Sequence, residues 1–286
     1  DTVLSRGLGD VYKRQTFTGE NASDQSGSQV AGIGDFDGDG YDDFVITAPQ
    51  YDDSSNSYTS AGRIYLILGK ASTLKKQYSL SNIAASKMAA YGLTATGTAN
   101  SYVLGFTVRG IGDINGDGYD DFAAGASGYQ VDSTTVGAVH VYYGRASASS
   151  KGWTGKITGA KIIEGTSIHN KLGSTISGAD DIDGDGYDDF ILGTYFWDYE
   201  GESTNSNAGK VYYIKGSSTK LSSGVDILET ASASFYSQTA SDYFGSHILG
   251  LGDTSGDGYG DILVLATGYD DTYTTQGSVY LISIDQ

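Results

Sequence analysis

Cysteine is absent from the 286 residues, and proline and methionine occur once each. Without thiols there is no disulfide framework, no thiolate metal site and no cysteine nucleophile. Positive charge is scarce: 17 Lys and Arg stand against 35 Asp and Glu, a formal charge of -18. Affinity for nucleic acid comes chiefly from neutralising phosphates with Lys and Arg, so this balance argues against a nucleic-acid partner, and an anionic membrane surface is disfavoured for the same reason. No apolar run reaches the ~18 residues that a membrane-spanning helix needs, so no membrane span is expected in this segment. The only Met is Met88 and the first residue is Asp1, so the native N-terminus reads as missing, and the lack of a visible secretory signal excludes nothing.

What is plentiful is glycine, 42 residues, and tyrosine, 23. Glycine at about twice its ordinary usage implies a chain that turns often or repeats a turn-rich unit. Residues 10–15, DVYKRQ, resemble the read-through translation of a transposon end used in sequencing libraries. Residues 1–15 are therefore expected to be a non-native leader, and residues 16–286 a single domain.

Four segments align without gaps: DFDGDGYDDF from Asp35, DINGDGYDDF from Asp113, DIDGDGYDDF from Asp181 and DTSGDGYGDI from Asp253, spaced by 78, 68 and 72 residues. That sets repeats of roughly 16–90, 91–160, 161–228 and 229–286. Each acidic loop runs into an apolar stretch (Phe44-Val45-Ile46, Phe122-Ala123-Ala124, Phe190-Ile191-Leu192, Ile262-Leu263-Val264), and a second stretch follows a Gly at Gly62, Gly137, Gly209 and Gly277. Short runs of Val, Ile, Tyr and Phe bounded by Gly, Ser, Asp and Asn read as β-strands joined by hairpins. The stretch 74–91 is equally readable as a short helix or an irregular outer strand. Weak strands near Lys161–Glu164 and Ile227–Thr230 bring the count to about four per unit. The fold expected is all-β: four-stranded antiparallel blades repeated radially as a β-propeller, either a closed four-bladed ring, with Thr16-Phe17-Thr18 as the outer strand that completes the last blade, or a fragment of a larger one.

The loop, the strand and their spacing resemble the FG-GAP repeat, the blade unit of integrin α-chain propellers and of many bacterial surface and exported proteins. The name-giving Phe-Gly is intact only at Phe244-Gly245, and four units are present where integrin propellers have seven blades.

Oxygen ligands at alternate positions of a tight loop converge on one centre, and a hard cation such as calcium takes six to eight of them. The candidate ligands of the first loop are Asp35, Asp37, Asp39, the Tyr41 carbonyl and Asp43. The second offers Asp113, Asn115, Asp117, Tyr119 and Asp121, and the third Asp181, Asp183, Asp185, Tyr187 and Asp189. The fourth, with Asp253, Ser255, Asp257, Tyr259 and Asp261, is expected to be weakest, because Ser255 replaces a carboxylate and Gly260 removes a neighbouring acid. An EF-hand needs a bidentate Glu at position 12 and a following helix, whereas here Ile46, Ala124, Leu192 and Val264 open strands. Magnesium is less favoured than calcium, because a flexible all-protein oxygen cage suits the larger ion. The loops hold 17 of the 35 acids, so up to four bound calcium ions would bring the charge nearer to -10.

Nothing in the chain supports catalysis. His140, His169 and His247 lie in different units, and no nucleophile elbow or phosphate-cradling loop accompanies them. The loops predicted on the face opposite the acidic hairpins carry Tyr51, Tyr129, Trp197, Tyr199 and Tyr269 (with Tyr273 nearby), and Tyr and Trp are enriched at recognition hot spots. In integrin propellers that face recognises ligand, so the resemblance implies a protein or carbohydrate ligand there. The alternative is that these rings pack against neighbouring blades. The sequence thus reads as a calcium-binding, extracellular or cell-surface adhesion or ligand-binding module. The alternative function is an accessory or structural domain of a larger secreted enzyme acting on polysaccharide or phospholipid.

Overall fold

The computed structural model describes residues 15–69, 77–84, 92–146, 157, 159–166, 171–199, 207–270 and 276–283. Almost all of residues 1–15, together with His169 and Tyr273, lie outside them.

In chain order the elements are β1 (Thr16–Thr18), β2 (Val30–Gly34), β3 (Asp43–Ala48), β4 (Arg63–Ile67), β5 (Gln77–Ser79), α1 (Leu80–Ala84) and β6 (Gly92–Thr96). Next come β7 (Leu104–Gly112), β8 (Asp121–Ala126), β9 (Gln130–Val131), β10 (Thr134–Thr135), β11 (Ala138–Tyr142) and β12 (Lys161–Glu164). The remainder are β13 (Thr175–Asp180), β14 (Asp189–Thr194), β15 (Lys210–Ile214), β16 (Val225–Asp226), α2 (Ile227–Thr230), β17 (Ala233–Tyr236), β18 (Phe244–Gly252), β19 (Asp261–Ala266) and β20 (Ser278–Ser283). They form four blades in the orders β2-β3-β4-β6, β7-β8-β11-β12 with β16 added at its edge, β13-β14-β15-β17, and β18-β19-β20. The first strands lie side by side, β2 against β7, β7 against β13 and β13 against β18, which is the radial arrangement of a β-propeller.

Strand alternation makes each blade apolar on both faces, as a sheet sandwiched between two others must be. Val45, Ile64 and Leu66 of blade 1 pack on Val108, Phe122, Ala124 and Tyr142 of blade 2. Ala123, Val139 and Val141 pack on Ile176, Phe190, Leu192 and Tyr212 of blade 3. Ile191, Val211 and Tyr213 pack on Ile262 and Val264 of blade 4. Burial of these side chains, each stabilising by about 1.5–3 kcal/mol, is what holds blade to blade. Adjacent blades also touch through backbone at one glycine: Gly62 and Gly137 bridge Leu104 and Leu172 in parallel. A Cβ on Gly209 would come within 2.1 Å of the Phe244 carbonyl oxygen, so only glycine allows that approach.

Several local assignments from the sequence need correction. The weak strand Lys161–Glu164 is real but pairs with β11, so it is the outer strand of blade 2 and not the start of the third unit. Ile227–Thr230 is a short helix, because the Asp226 carboxylate caps it by accepting from Leu228 N–H at 2.7 Å; the outer strand of blade 3 is β17. Within 74–91 the described residues hold both a strand, β5, and a helical turn, α1. Thr16–Thr18 pairs in parallel with β5 and does not complete blade 4. Instead Phe17 stacks on Tyr78 at 5.2 Å and meets Phe44 edge-on at 5.6 Å, and with Leu80 and Ile83 they cover the outer face of blade 1. Among the described residues the blades form an open arc, not a closed ring.

Candidate functional site

Each acidic segment is the hairpin between the first and second strands of its blade. The carboxylate at position 1 shapes it. Asp35 accepts from Asp39 N–H (3.0 Å) and Gly40 N–H (2.9 Å), Asp113 from Asp117 N–H (3.1 Å) and Gly118 N–H (2.7 Å), and Asp181 from Asp185 N–H (3.0 Å) and Gly186 N–H (2.9 Å). Asp253 does the same for Asp257 N–H and Gly258 N–H. Tucking those amides under one carboxylate needs the left-handed backbone of Gly38 and Gly40, at φ 72° and 88°, and of their counterparts.

Carboxylate oxygens of Asp35, Asp37 and Asp39 lie within 4.8 Å of one another, and so do those of Asp181, Asp183 and Asp185. These are positions 1, 3 and 5. An all-oxygen, anionic donor set at that spacing fits a hard divalent cation, calcium ahead of magnesium. In the second loop Asn115 turns its amide toward Asp121 (3.1 Å). In the fourth, Ser255 Oγ lies 3.4 Å from Asp253 Oδ1.

Position 9 lies beneath the loop. Asp43, Asp121, Asp189 and Asp261 are all buried, and the first three staple the hairpin to the second residue beyond the third strand. Asp43 accepts from Phe36 N–H and Gly69 N–H, Asp121 from Ile114 N–H and Gly144 N–H, and Asp189 from Ile182 N–H and Gly216 N–H. Burial pushes Asp43 and Asp121 up to about 7, and the neighbouring carboxylates Asp37 and Asp117 add to the rise. Burial raises Asp189 to about 6, partly offset by hydrogen bonds from Gly216 and Tyr213. Asp261 is instead held low by the Thr254 hydroxyl. Two ammonium groups approach the loops: Lys215 Nζ contacts Asp183 and lies 3.4 Å from Asp185, and Lys220 Nζ is 3.0 Å from Asp117.

Positions 7 and 8 hold a role that sequence reasoning missed. Asp120 Oδ2 accepts from Asp35 N–H at 2.7 Å, and Asp188 Oδ2 from Asp113 N–H at 2.8 Å. The Tyr119 ring lies over Gly38 and the Tyr187 ring over Gly116, so close that a Cβ on either glycine would collide with it. The second loop thus clamps the first, and the third clamps the second. Tyr41, with no blade before it among the described residues, is 44% exposed. Gly260 offers no carboxylate and uses its own N–H to the Ile182 carbonyl instead (2.8 Å).

The aromatic residues of the opposite loops each have an aromatic or cationic neighbour. Tyr51 is buried beneath the Arg63 guanidinium, 3.6 Å above its ring. Tyr129 meets Tyr102 edge-on at 5.4 Å and donates to Glu164. Trp197 and Tyr199, half-buried, gather on Tyr236 of β17 at 5.4 and 5.8 Å, and Lys210 lies over Trp197. Tyr269 meets Tyr280 of β20 at 6.4 Å. His140 is buried, 2.8 Å from the Tyr102 hydroxyl, and burial lowers it to about 4; it is a neutral core residue.

The FG-GAP repeat family model matches residues 26–67, 110–142 and 172–214, which are the hairpins and flanking strands of blades 1 to 3. Three of the four units thus match the FG-GAP repeat. The chain is 30% identical to Integrin alpha-PS2 of Drosophila melanogaster over 181 residues, 63% of this chain and 12% of that protein. It is 30% identical to Integrin alpha-V of Gallus gallus over 244 residues, 83% and 20%, and 27% identical to Integrin alpha-5 of Xenopus laevis over 269 residues, 93% and 22%. The chain therefore spans between 12% and 22% of the length of these relatives. No helix among the described residues is long and apolar enough to cross a membrane.

Proposed function

We propose that this FG-GAP chain is a calcium-stabilised propeller segment that serves as an extracellular or cell-surface adhesion or ligand-binding module, with no catalytic chemistry of its own. The observation that carries this reading is the convergence of Asp35, Asp37 and Asp39, repeated by Asp181, Asp183 and Asp185. Free calcium outside cells is abundant enough for exposed oxygen sites with dissociation constants of about 10⁻⁴–10⁻³ M. The calcium would be held by positions 1, 3 and 5, the position-7 carbonyl and the position-9 carboxylate, and its charge would offset the repulsion among them. A protein or carbohydrate ligand would meet the loops of the opposite face, where Trp197 and Tyr199 keep part of their surface.

The test is calorimetric titration of the chelator-stripped chain with calcium and, separately, magnesium. Binding of up to four calcium ions, with magnesium weaker, supports the reading. Absence of heat together with an unchanged melting curve removes the metal from it. Ligand recognition is probed on immobilised matrix proteins and glycans, with Trp197→Ala as the control that should lower any signal.

A further inference from the structure

Cations are scarce in this chain, 17 against 35 acids, yet three of them stand around one cavity. The cavity, of about 190 Å³, is lined by Arg145, Lys161 and Lys220 together with the rings of Phe36, Tyr142 and Tyr143. It lies at the outer part of blade 2, beside the first two acidic hairpins: Phe36 belongs to the first, and Gly144 donates its N–H to Asp121 of the second at 2.7 Å. Among the described residues no carboxylate lines it.

Each stretch of backbone that carries one of these cations is fixed. Arg145 N–H donates to the Phe36 carbonyl at 2.9 Å. Lys161 opens β12 and pairs with Val141 of β11. Leu221 N–H, next to Lys220, donates to the Tyr143 hydroxyl at 3.0 Å, and Lys220 Nζ lies 4.7 Å over the same ring. The three positions are far apart in sequence, so the fold brings them together and no local basic run does. Lys220 is answered in part by Asp117, 3.0 Å away, whereas Lys161 forms no ion pair among the described residues. Like charges around a cleft with apolar walls repel one another and focus a positive field on the space between them.

We propose that this cavity binds a sugar carrying a sulfate or phosphate ester. A planar carboxylate is satisfied by one bidentate arginine, whereas three cations on three separate segments suit a tetrahedral group whose oxygens point in as many directions. The Tyr143 hydroxyl accepts from Leu221 N–H and so keeps its own proton for a further oxygen. The rest of the wall is aromatic, and a bare inorganic ion would give up water there for no hydrogen bond in return. A sugar ring lays its C–H groups on those rings while its ester meets the cations. The volume is below the ~300 Å³ at which sites for drug-sized ligands begin, so it takes one ester and the ring that bears it. The site is separate from the loops of Trp197 and Tyr199, and it depends neither on calcium nor on the recognition face proposed above.

Calorimetric titration of the full chain at low ionic strength with glucose 6-sulfate and glucose 6-phosphate tests this, with glucose, glucuronate and inorganic sulfate as comparisons. One or both esters should bind at least tenfold tighter than glucose or glucuronate, inorganic sulfate should bind more weakly than the sulfate ester, and the tighter ester identifies the group. Arg145→Gln and Lys161→Gln should each weaken the ester about tenfold, the loss of one charge-assisted hydrogen bond, with the melting temperature unmoved. Arg109→Gln, exposed on β7 and outside the cavity, should leave binding unchanged. Failure of both esters to bind overturns the proposal, and so does binding that is indifferent to both cavity variants. Glucose or glucuronate matching the esters removes the tetrahedral group from it, and inorganic sulfate matching the sulfate ester removes the sugar; either overturns it.

Discussion

Acidification should stabilise the calcium-free protein and destabilise the calcium-loaded one. The perturbation acts on the three buried position-9 carboxylates. Asp43 and Asp121 stand near 7 and Asp189 near 6 in the fold, against ~3.9 in an unfolded chain. A raised folded pKa means that the native state binds protons more tightly than the unfolded state, so stability is fully present below about 3.9 and is lost as pH rises through the folded value. At 1.36 kcal/mol per unit, lowering pH from ~7.5 to ~5.5 returns about 2 kcal/mol each from Asp43 and Asp121 and about 1 from Asp189. His140 works in the opposite direction: buried neutral and lowered to about 4, it costs about 1–2 kcal/mol as the unfolded imidazole becomes protonated. Asp53, Asp253 and Asp261 are lowered and titrate below this window. The net gain is about 3 kcal/mol, or roughly 6–12 °C in Tm for a domain of this size. With saturating calcium the sign reverses, because protons then compete with the ion for the same oxygens. Differential scanning calorimetry at the two pH values, with chelator and with millimolar calcium, gives four numbers. A chelated Tm that stays flat or falls on acidification refutes the burial argument, and parallel slopes with and without calcium refute the assignment of these carboxylates to the metal.

Three further outcomes follow from single contacts, two of them with an internal control elsewhere in the chain. Asp120→Ala removes the charge-assisted bond to Asp35 N–H and should cost about 1.5–3 kcal/mol as well as weakening calcium binding at the first loop. Asp42→Ala, the same position with no preceding blade among the described residues, should cost under about 0.5 kcal/mol; equal losses in chemical denaturation would remove the clamp. Gly209→Ala drives a Cβ to 2.1 Å from the Phe244 carbonyl oxygen and should cost about 3–5 kcal/mol by overpacking and backbone strain together. Gly277→Ala, with φ 72° but open space, should cost only about 1–2 kcal/mol; urea midpoints compare the two. Lys215→Ala takes the ammonium from Asp183 and Asp185 and should raise calcium affinity at the third loop a few-fold, read by competition with a chromophoric chelator. Unchanged or weaker binding would show that Lys215 does not compete with the ion.

The parts of the fold that were legible in the sequence are those dictated within ten residues. Alternate oxygens and paired glycines define the hairpin whatever surrounds it, and the apolar run after each one has a single place to go. Partnerships between distant segments were not legible. Lys161–Glu164 has the same composition whether it pairs forward or back, and only the sheet shows that it closes blade 2. Thr16–Thr18 looked free to complete the last blade, yet the match of Phe17 to Tyr78 and Phe44 draws it to the first. Trp197 and Tyr236 are 39 residues apart, and nothing local couples a loop tryptophan to an outer strand. At Ile227–Thr230 the apolar content suggested a strand, but Asp226 one residue earlier is a helix cap, a signal that was available and outweighed by the repeat pattern.

The same ten residues serve two structural purposes, and the division between them explains their charge. Positions 1, 3 and 5 turn their oxygens into the hairpin, where a cation can gather them. Position 8 turns its carboxylate out to the backbone amide of the preceding loop, and the position-7 ring lies across that loop's glycine. An amide hydrogen bonded from outside by Asp120 belongs to Asp35, whose own carboxylate holds Asp39 and Gly40 in place. The ligand geometry of one loop therefore rests on the next loop, and that of the second rests on Asp188 in the third. At Gly260 the fourth loop has given up this carboxylate, so Asp181 receives no such support, and there Lys215 has moved in beside Asp183. Acidity in this chain is thus two interleaved sets, one that gathers oxygens in the hairpin at the cation site proposed above and one that joins blades. A substitution that removes a single aspartate has a different meaning at odd and even positions of the loop.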